Sequence, residues 1–167
     1  PLKPVQYERS VMSTTLNENV RLPEILDEDL AYLIGYMHGD GYVQWGKKVN
    51  WTEPKGIKLA TADDYPEIRQ KLIDIVDRVF GLEAFVRQGT GALKEISFYS
   101  RLMIEWLIQN GLLKAKAEDI RVPEAIFRSP SSVMAAFIAG YFDRRRTGCL
   151  RRQADRAYRL SSRSGPS

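Results

Sequence analysis

The chain has 167 residues, of which 44% are hydrophobic and 28% are charged, a composition typical of ordinary folded proteins. A single cysteine, Cys149, and a single histidine, His38, exclude an internal disulfide framework and a zinc site built from cysteine and histidine. No apolar run is long enough to span a bilayer, so we expect a cytoplasmic protein without membrane contact.

The net charge of +4 is unevenly distributed along the chain. Residues 144–167 contain eight arginines and one acidic residue and so carry +7, which leaves −3 for residues 1–143. We expect 144–167 to be a disordered basic tail, because this segment has too little apolar surface to offset the entropy of ordering. Nonspecific phosphate binding by its arginines is the alternative.

The first predicted element is a helix that begins after Pro23. Residues 1–22 show no sustained periodicity and are predicted to be a linker from an adjacent segment. The acids of residues 27–29 favour a helix start, and apolar residues then recur at helical spacing until Gly39. Asp40 is therefore expected at the C-terminal end of this helix.

Two hairpins and four further helices follow in chain order. Alternating apolar residues predict hairpins of 41–45 with 57–62 and of 84–88 with 96–100. Helical spacing predicts helices at 66–80, 101–112, 123–127 and 129–143. The predicted fold class is α+β with antiparallel strands.

One motif occurs twice. Residues 33–41 read Leu-Ile-Gly-Tyr-Met-His-Gly-Asp-Gly, and residues 138–143 read Ile-Ala-Gly-Tyr-Phe-Asp before three arginines follow. Gly35 and Gly140 occupy the same place in the two strings, inside an apolar helical run. Glycine costs about 1 kcal/mol there relative to alanine, which indicates that another group comes very close to the backbone.

These strings, with two hairpins between them, resemble the LAGLIDADG or dodecapeptide homing endonucleases, especially those embedded in inteins. The resemblance covers about residues 23–143. It implies one αββαββα half with an antiparallel, saddle-shaped sheet at 23–128, followed by the second motif helix at 129–143. It also implies that the two motif helices pack along a pseudo-dyad through small residues, here Gly35, Gly39 and Gly140.

The function implied by the resemblance is site-specific hydrolysis of double-stranded DNA with Mg²⁺. Asp40 occupies the position of the metal-binding carboxylate, and the carbonyl of Gly39 is a further candidate ligand; hard oxygen ligands suit Mg²⁺. Lys116 or Arg121 would stabilise the charge that develops on the phosphate. His38 stands where the motif often has aspartate, but we expect it to be a packed or surface residue.

The four strands would place alternate side chains against phosphates and base edges in the major groove. Which parity of side chains faces DNA stays open at this point. The candidate DNA-binding residues are Gln44, Lys47, Lys48, Trp51, Lys58, Arg87, Gln88 and Lys94.

The second motif departs from the family pattern. Aligning the two motif glycines places Arg144 opposite Gly39 and Arg145 opposite Asp40. A fixed cation cannot bind Mg²⁺, and a long side chain at 144 is expected to obstruct the close crossing of the helices.

We therefore expect half an endonuclease plus the second motif helix, truncated in or after that motif by a frameshift or recombination, with impaired cleavage. A homodimer through two Asp40-bearing helices is one alternative arrangement. A non-catalytic DNA-binding remnant or regulator is the alternative function.

Overall fold

The structure, a computed structural model, describes residues 1–2, 20–40, 42–45, 54–89, 91–113 and 121–161. Within these ranges, the side chains at positions 40, 42–45, 54–55 and 148–161 lie outside the description. In chain order the elements are α1 Glu28–Asp40, β1 Tyr42–Trp45, β2 Pro54–Ala62, α2 Pro66–Phe80, β3 Phe85–Gln88, β4 Leu93–Tyr99, α3 Arg101–Gln109, α4 Glu124–Phe127 and α5 Ser131–Ser161.

Helix α1 begins and ends where the sequence predicts. The Oδ1 atom of Asp27 accepts a 2.9 Å hydrogen bond from the backbone N–H of Leu30, which satisfies one of the free donors at the helix start. Two acidic residues lie in the first turn, where they interact favourably with the helix dipole. Asp40 is the last residue of the helix.

The strands form one antiparallel sheet in the order β1-β2-β4-β3, so the two predicted hairpins join through β2 and β4. On β2 and β4, Ile57 pairs with Phe98 and Leu59 pairs with Ile96, and all four side chains are buried in the core. The predicted α+β class with an antiparallel sheet is confirmed. These buried pairs also show which residues face outward, because the alternate residues of each strand lie on the opposite face of the sheet.

Helix α2 is bounded by local backbone signals. Pro66 lies in its first turn, and Gly81 ends it in the left-handed conformation, with φ of 65° and its N–H bonded to the carbonyl of Asp77. Arg21 donates its backbone N–H to the carbonyl of Phe80 and its guanidinium to the carbonyl of Asp77, each at 2.8 Å. The end of the predicted linker is thus fastened to the domain.

One hydrophobic core lies between the helices and the inner face of the sheet. Trp106 of α3 packs edge-on against Phe80 of α2, with ring centroids 6.0 Å apart, and both side chains are buried. Helix α1 is buried on all sides from Leu30 to His38, because α5, α2 and β2 all pack against it. Its buried hydrophobic residues are Leu30, Ala31, Tyr32, Leu33, Ile34, Tyr36 and Met37.

Helix α5 differs from the expectation. It continues to Ser161, so the predicted end at residue 143 and the predicted disorder of 144–161 are wrong. The prediction relied on the low apolar content of this segment. Its Arg, Gln, Ala and Leu residues all favour the helical state. The segment also has a buried side, since Arg144 and Thr147 are 2% and 0% exposed.

None of the helices in the described ranges is both long enough and apolar enough to cross a membrane.

Candidate functional site

Helices α1 and α5 cross through two reciprocal glycine contacts. A Cβ on Gly35 would lie under 3.0 Å from the backbone carbonyl of Phe137, and a Cβ on Gly140 would lie equally close to the carbonyl of Tyr32. Tyr32 and Phe137 each stand three residues before the glycine of their own helix. The two motif helices are therefore related by an approximate two-fold axis, and only glycine permits this approach.

The residues three positions after the glycines follow the same symmetry. The ring of His38 on α1 meets the ring of Phe137 edge-on, with centroids 5.7 Å apart. On the other side, Asp143 accepts a 2.7 Å hydrogen bond from the hydroxyl of Tyr32. His38 is buried at 5% exposure, as a packed residue would be.

The symmetry of contact does not extend to electrostatics. Burial, followed by the hydrogen bond to Asp143, raises the pKa of the Tyr32 hydroxyl well above its ordinary range. Tyr32 therefore remains a neutral donor across the pH range in which proteins normally work.

Arg144 lies one residue further along, against Gly39. A Cβ on Gly39 would lie under 3.0 Å from Cβ and Cγ of Arg144, so the glycine of α1 accommodates the arginine stem of α5. We expected this long side chain to obstruct the crossing. It does not, because its stem runs over a residue that has no side chain.

The guanidinium of Arg144 belongs to a buried polar cluster between α1, α5 and the sheet. It donates a 2.9 Å hydrogen bond to Oγ1 of Thr147, and its carbon centre lies 6.0 Å from the centroid of the Tyr36 ring. The hydroxyl of Tyr36 donates to the carbonyl of Ala60 on β2 and lies 3.4 Å from the Thr147 hydroxyl. A buried charge needs such partners to offset its lost hydration.

The resemblance implies a divalent metal at this end of the helix pair, and the residues present do not fit a two-sided metal site. Asp40 and Gly39 end α1 on one side, and the side chain of Asp40 lies outside the description. On the other side stand the buried Arg144 and the exposed Arg145, whose guanidinium carbon lies 5.6 Å from the centroid of the Tyr141 ring. Within the described part of the chain, no group of three or more His, Cys, Asp or Glu side chains converges to hold a metal.

The two basic residues proposed to assist the phosphate are not brought to the helix pair by any described contact. Lys116 lies outside the described residues. Arg121 is exposed in the segment that precedes α4.

Two of the DNA-binding candidates share the outer face of the sheet. The side chain of Lys58 on β2 points away from the core, because its neighbours Ile57 and Leu59 are buried. Arg87 on β3 lies on the same face through its register with Glu95 of β4. Glu95 of β4 lies between them: it pairs with Arg87 in register, and its Oε1 is 3.9 Å from Nζ of Lys58. The described part of this face therefore carries both signs of charge.

Two other candidates have local structural roles on the opposite parity. The Gln88 side chain donates to the carbonyls of Gly91 and Leu93 and so fixes the turn between β3 and β4. Lys94 lies 3.5 Å from Oδ1 of Asp63. Neither belongs to the outer face of the sheet.

The remaining DNA-binding candidates cannot be placed as side chains. Gln44 pairs in register with Gly56 at the edge strand, and its side chain lies outside the description. Lys47, Lys48 and Trp51 fall outside the described residues.

The proposed homodimer meets an obstacle in this arrangement. The face of α1 that carries Gly35 is already covered by α5, because Gly35 lies against the backbone of Phe137. A dimer through α1 would have to displace α5.

Sequence reasoning missed Thr147 and the buried role of Arg144. A signal was available, because Gly140, Arg144 and Thr147 follow helical spacing of four and three residues and all three are buried. Extending the helical period past residue 143 would have placed both on the side that faces α1.

Comparisons with known proteins give partial relatives, and no protein-family model matches the chain. The chain is 34% identical over 119 residues to a DNA polymerase of Thermococcus hydrothermalis, covering 70% of this chain and 6% of that protein. It is 34% identical over 142 residues to elongation factor 2 of Methanopyrus kandleri, covering 83% and 10%. It is 27% identical over 125 residues to the glutamine–fructose-6-phosphate aminotransferase of Methanocaldococcus jannaschii, covering 74% and 10%. The chain thus spans a tenth or less of each of these archaeal proteins.

Proposed function

We propose that this chain is a site-specific double-stranded DNA endonuclease domain of the LAGLIDADG type, derived from an intein, in which cleavage is impaired. The observation that carries the proposal is the reciprocal crossing of α1 and α5 through Gly35 and Gly140. The repeated motif led us to expect this crossing, and α1 is followed by the expected order of strands and helices.

The comparisons support the intein origin by the way in which the similarity is distributed. A polymerase, an elongation factor and an aminotransferase have unrelated names, yet each contains a segment similar to 70–83% of this chain. A segment shared by proteins of unrelated activity is best explained as a transferable insertion. A homing endonuclease within an intein is such an insertion.

The outer face of the four-stranded sheet is the proposed DNA surface. Lys58 and Arg87 project from it at neighbouring register positions, where they can reach phosphates on duplex DNA. Phe85 and Tyr99 lie on the same face with ring centroids 6.2 Å apart and offer apolar contact area. Sequence would be read by this face, and by the strand ends next to it, through base edges in the groove.

Hydrolysis is proposed to depend on Asp40 and to be impaired by the residues opposite it. Asp40 would hold Mg²⁺, and the ion would supply an attacking water of lowered pKa and stabilisation of the leaving oxygen. In this chain Arg145 stands in the motif position that matches Asp40, so the pair of carboxylates that a symmetric site needs is incomplete.

A second candidate function, DNA binding without cleavage, is favoured by one observation. At the positions that match the last two residues of α1, α5 presents a buried Arg144 and an exposed Arg145 in place of glycine and aspartate. The sheet would then serve a regulator or a remnant that keeps recognition and has lost catalysis.

The experiment selects duplexes from a randomised library and assays the enriched pool for nicking and cutting with Mg²⁺ or with EDTA. The variants are the unaltered chain, Asp40→Asn, and Asp74→Asn as a matched control on the outside of α2. Mg²⁺-dependent nicking that Asp40→Asn abolishes and Asp74→Asn retains supports the endonuclease. Selective binding without Mg²⁺-dependent cutting supports the second candidate, and failure to enrich any duplex overturns both.

A further inference from the structure

The end of the α1–α5 crossing at Gly39 and Asp40, which we call the helix foot, is occupied by the side chain of Arg144, and the motif of α1 has glycine at the matching position. Arg144 is 2% exposed, although it begins the run of three arginines that reads as a solvated tail. Its stem fills the space over Gly39, the residue next to Asp40, and its guanidinium is bonded to Thr147. A cation is therefore built into the helix interface.

We infer that the buried guanidinium of Arg144 takes the place of a divalent cation at this end of the helix pair. This inference rests on the proposed function for one point, that Asp40 occupies the position of a metal-binding carboxylate. It adds a role for Arg144. Its claim is that a fixed cation of the protein stands at this end of the helix pair and disfavours the binding of a divalent ion there.

The electrostatic argument follows from burial. Two like charges a few ångströms apart repel each other far more strongly at a protein interior than in water, because the effective dielectric constant is lower. The stem of Arg144 lies against Gly39 and its guanidinium is bonded to Thr147. A divalent ion bound near Gly39 and Asp40 would be repelled by this fixed cation. The carboxylate of Asp40 alone would have to overcome that repulsion.

The contacts of Arg144 distinguish this role from that of a surface arginine. The cluster of Arg144, Thr147 and Tyr36 joins both motif helices to the carbonyl of Ala60 on β2. Arg145 and Arg146 are exposed instead, and their guanidinium carbons lie 5.6 and 5.3 Å from the ring centroids of Tyr141 and Tyr65. Of these three arginines, Arg144 is the one buried against Gly39.

The test measures binding of Mn²⁺ to the full chain by the loss of the free-ion signal in electron paramagnetic resonance. The variants are Arg144→Met, which keeps the length of the stem and removes the charge; Arg144→Lys, which keeps a charge; Arg145→Asp, which supplies the matching carboxylate; and Arg144→Met combined with Arg145→Asp. Arg128→Ala, a change at the exposed arginine that directly follows α4, is the control. Circular dichroism melting identifies any variant that fails to fold.

The expected result is weak Mn²⁺ binding by the unaltered chain, Arg144→Lys, Arg145→Asp and Arg128→Ala, with at least about tenfold tighter binding by the double variant. Equal binding by Arg145→Asp alone and by the double variant would overturn the inference, and this comparison does not depend on the folding of Arg144→Met alone. Tight Mn²⁺ binding by the unaltered chain that Asp40→Asn abolishes would overturn it as well.

Duplex binding in EDTA, measured on the same samples, separates this inference from the proposed function. If the metal results are as expected while no variant binds duplex DNA, the role of Arg144 stands and the DNA-directed function fails. If duplexes are bound and substitution of Arg144 does not change the affinity for Mn²⁺, the DNA-directed function stands and the role of Arg144 fails.

Discussion

The hydroxyl of Tyr32 donates a 2.7 Å hydrogen bond to Oδ2 of Asp143 and so joins the two motif helices through their side chains. The symmetry-related pair, His38 and Phe137, makes a ring contact instead. The two halves of the crossing thus share positions and differ in chemistry. Each difference gives a measurable effect.

Replacing Tyr32 with phenylalanine should lower the free energy of unfolding by about 1 kcal/mol at neutral pH, because a hydrogen bond is lost. The folded-state pKa of Tyr32 is raised above its ordinary value of about 10, since the neutral hydroxyl is buried and donates to Asp143. Its contribution is therefore fully present below pH 10 and is lost as the pH rises above 10 toward the raised value. Urea unfolding between pH 7 and 11.5 should show the two proteins converging above pH 10.

Tyr99→Phe serves as the control for other effects of alkaline pH on tyrosine. A stability difference between the unaltered chain and Tyr32→Phe that stays constant up to pH 11.5 would contradict the assigned hydrogen bond.

Alanine at Gly35 or at Gly140 should destabilise the protein by about 1–3 kcal/mol or more, because the new methyl group meets a backbone carbonyl that cannot move freely. The sign of the change in unfolding free energy shows whether the close helix contact exists. Without the contact, alanine in a helix interior would stabilise the protein by about 1 kcal/mol. Ala139→Gly, at an exposed position of α5, measures the propensity term alone, and thermal or urea unfolding gives all three values.

Leu33 and Ile138 lie at matching positions, two residues before the glycine of each motif, but their burial is opposite. Leu33 is 1% exposed and Ile138 is 51% exposed. Leu33→Ala should therefore cost about 2–5 kcal/mol, because it leaves a cavity in the core. Ile138→Ala should cost within about 0.5 kcal/mol. Similar losses for the two substitutions in urea unfolding would mean that α5 is turned differently about its axis.

Much of this fold could be predicted from the sequence because local signals and periodicity agreed. The start of α1 at Asp27 and the end of α2 at Gly81 were both visible as residue preferences. The parity of the strands was not, since Lys58 and Lys94 are alike in isolation and only the pairing of β2 with β4 assigns them to opposite faces. Pairing between distant segments is a tertiary property that the composition of a strand does not encode.

The role of Arg144 was hidden for a related reason. Sequence reasoning treats an arginine run as solvated, because burying a charge without partners is costly. Thr147, one turn further along the same helix, accepts from the guanidinium, and the crossing of α5 with α1 at Gly39 and Tyr36 buries the arginine. A tertiary contact therefore reverses the preference that the residue type suggests.

The outer face of the sheet gives the last prediction, which uses a short duplex of arbitrary sequence in EDTA and fluorescence anisotropy at several salt concentrations. If Lys58 and Arg87 each contact a phosphate, Lys58→Ala and Arg87→Ala should each weaken binding and reduce the slope of log Kobs against log salt by about 0.9. Glu95→Gln should tighten binding, since it removes the negative charge that lies 3.9 Å from Lys58. Lys94→Ala is the matched control, because Lys94 has the opposite parity and lies 3.5 Å from Asp63. An effect of Lys94→Ala as large as that of Lys58→Ala would show that binding follows total charge and that this face of the sheet is not the DNA surface.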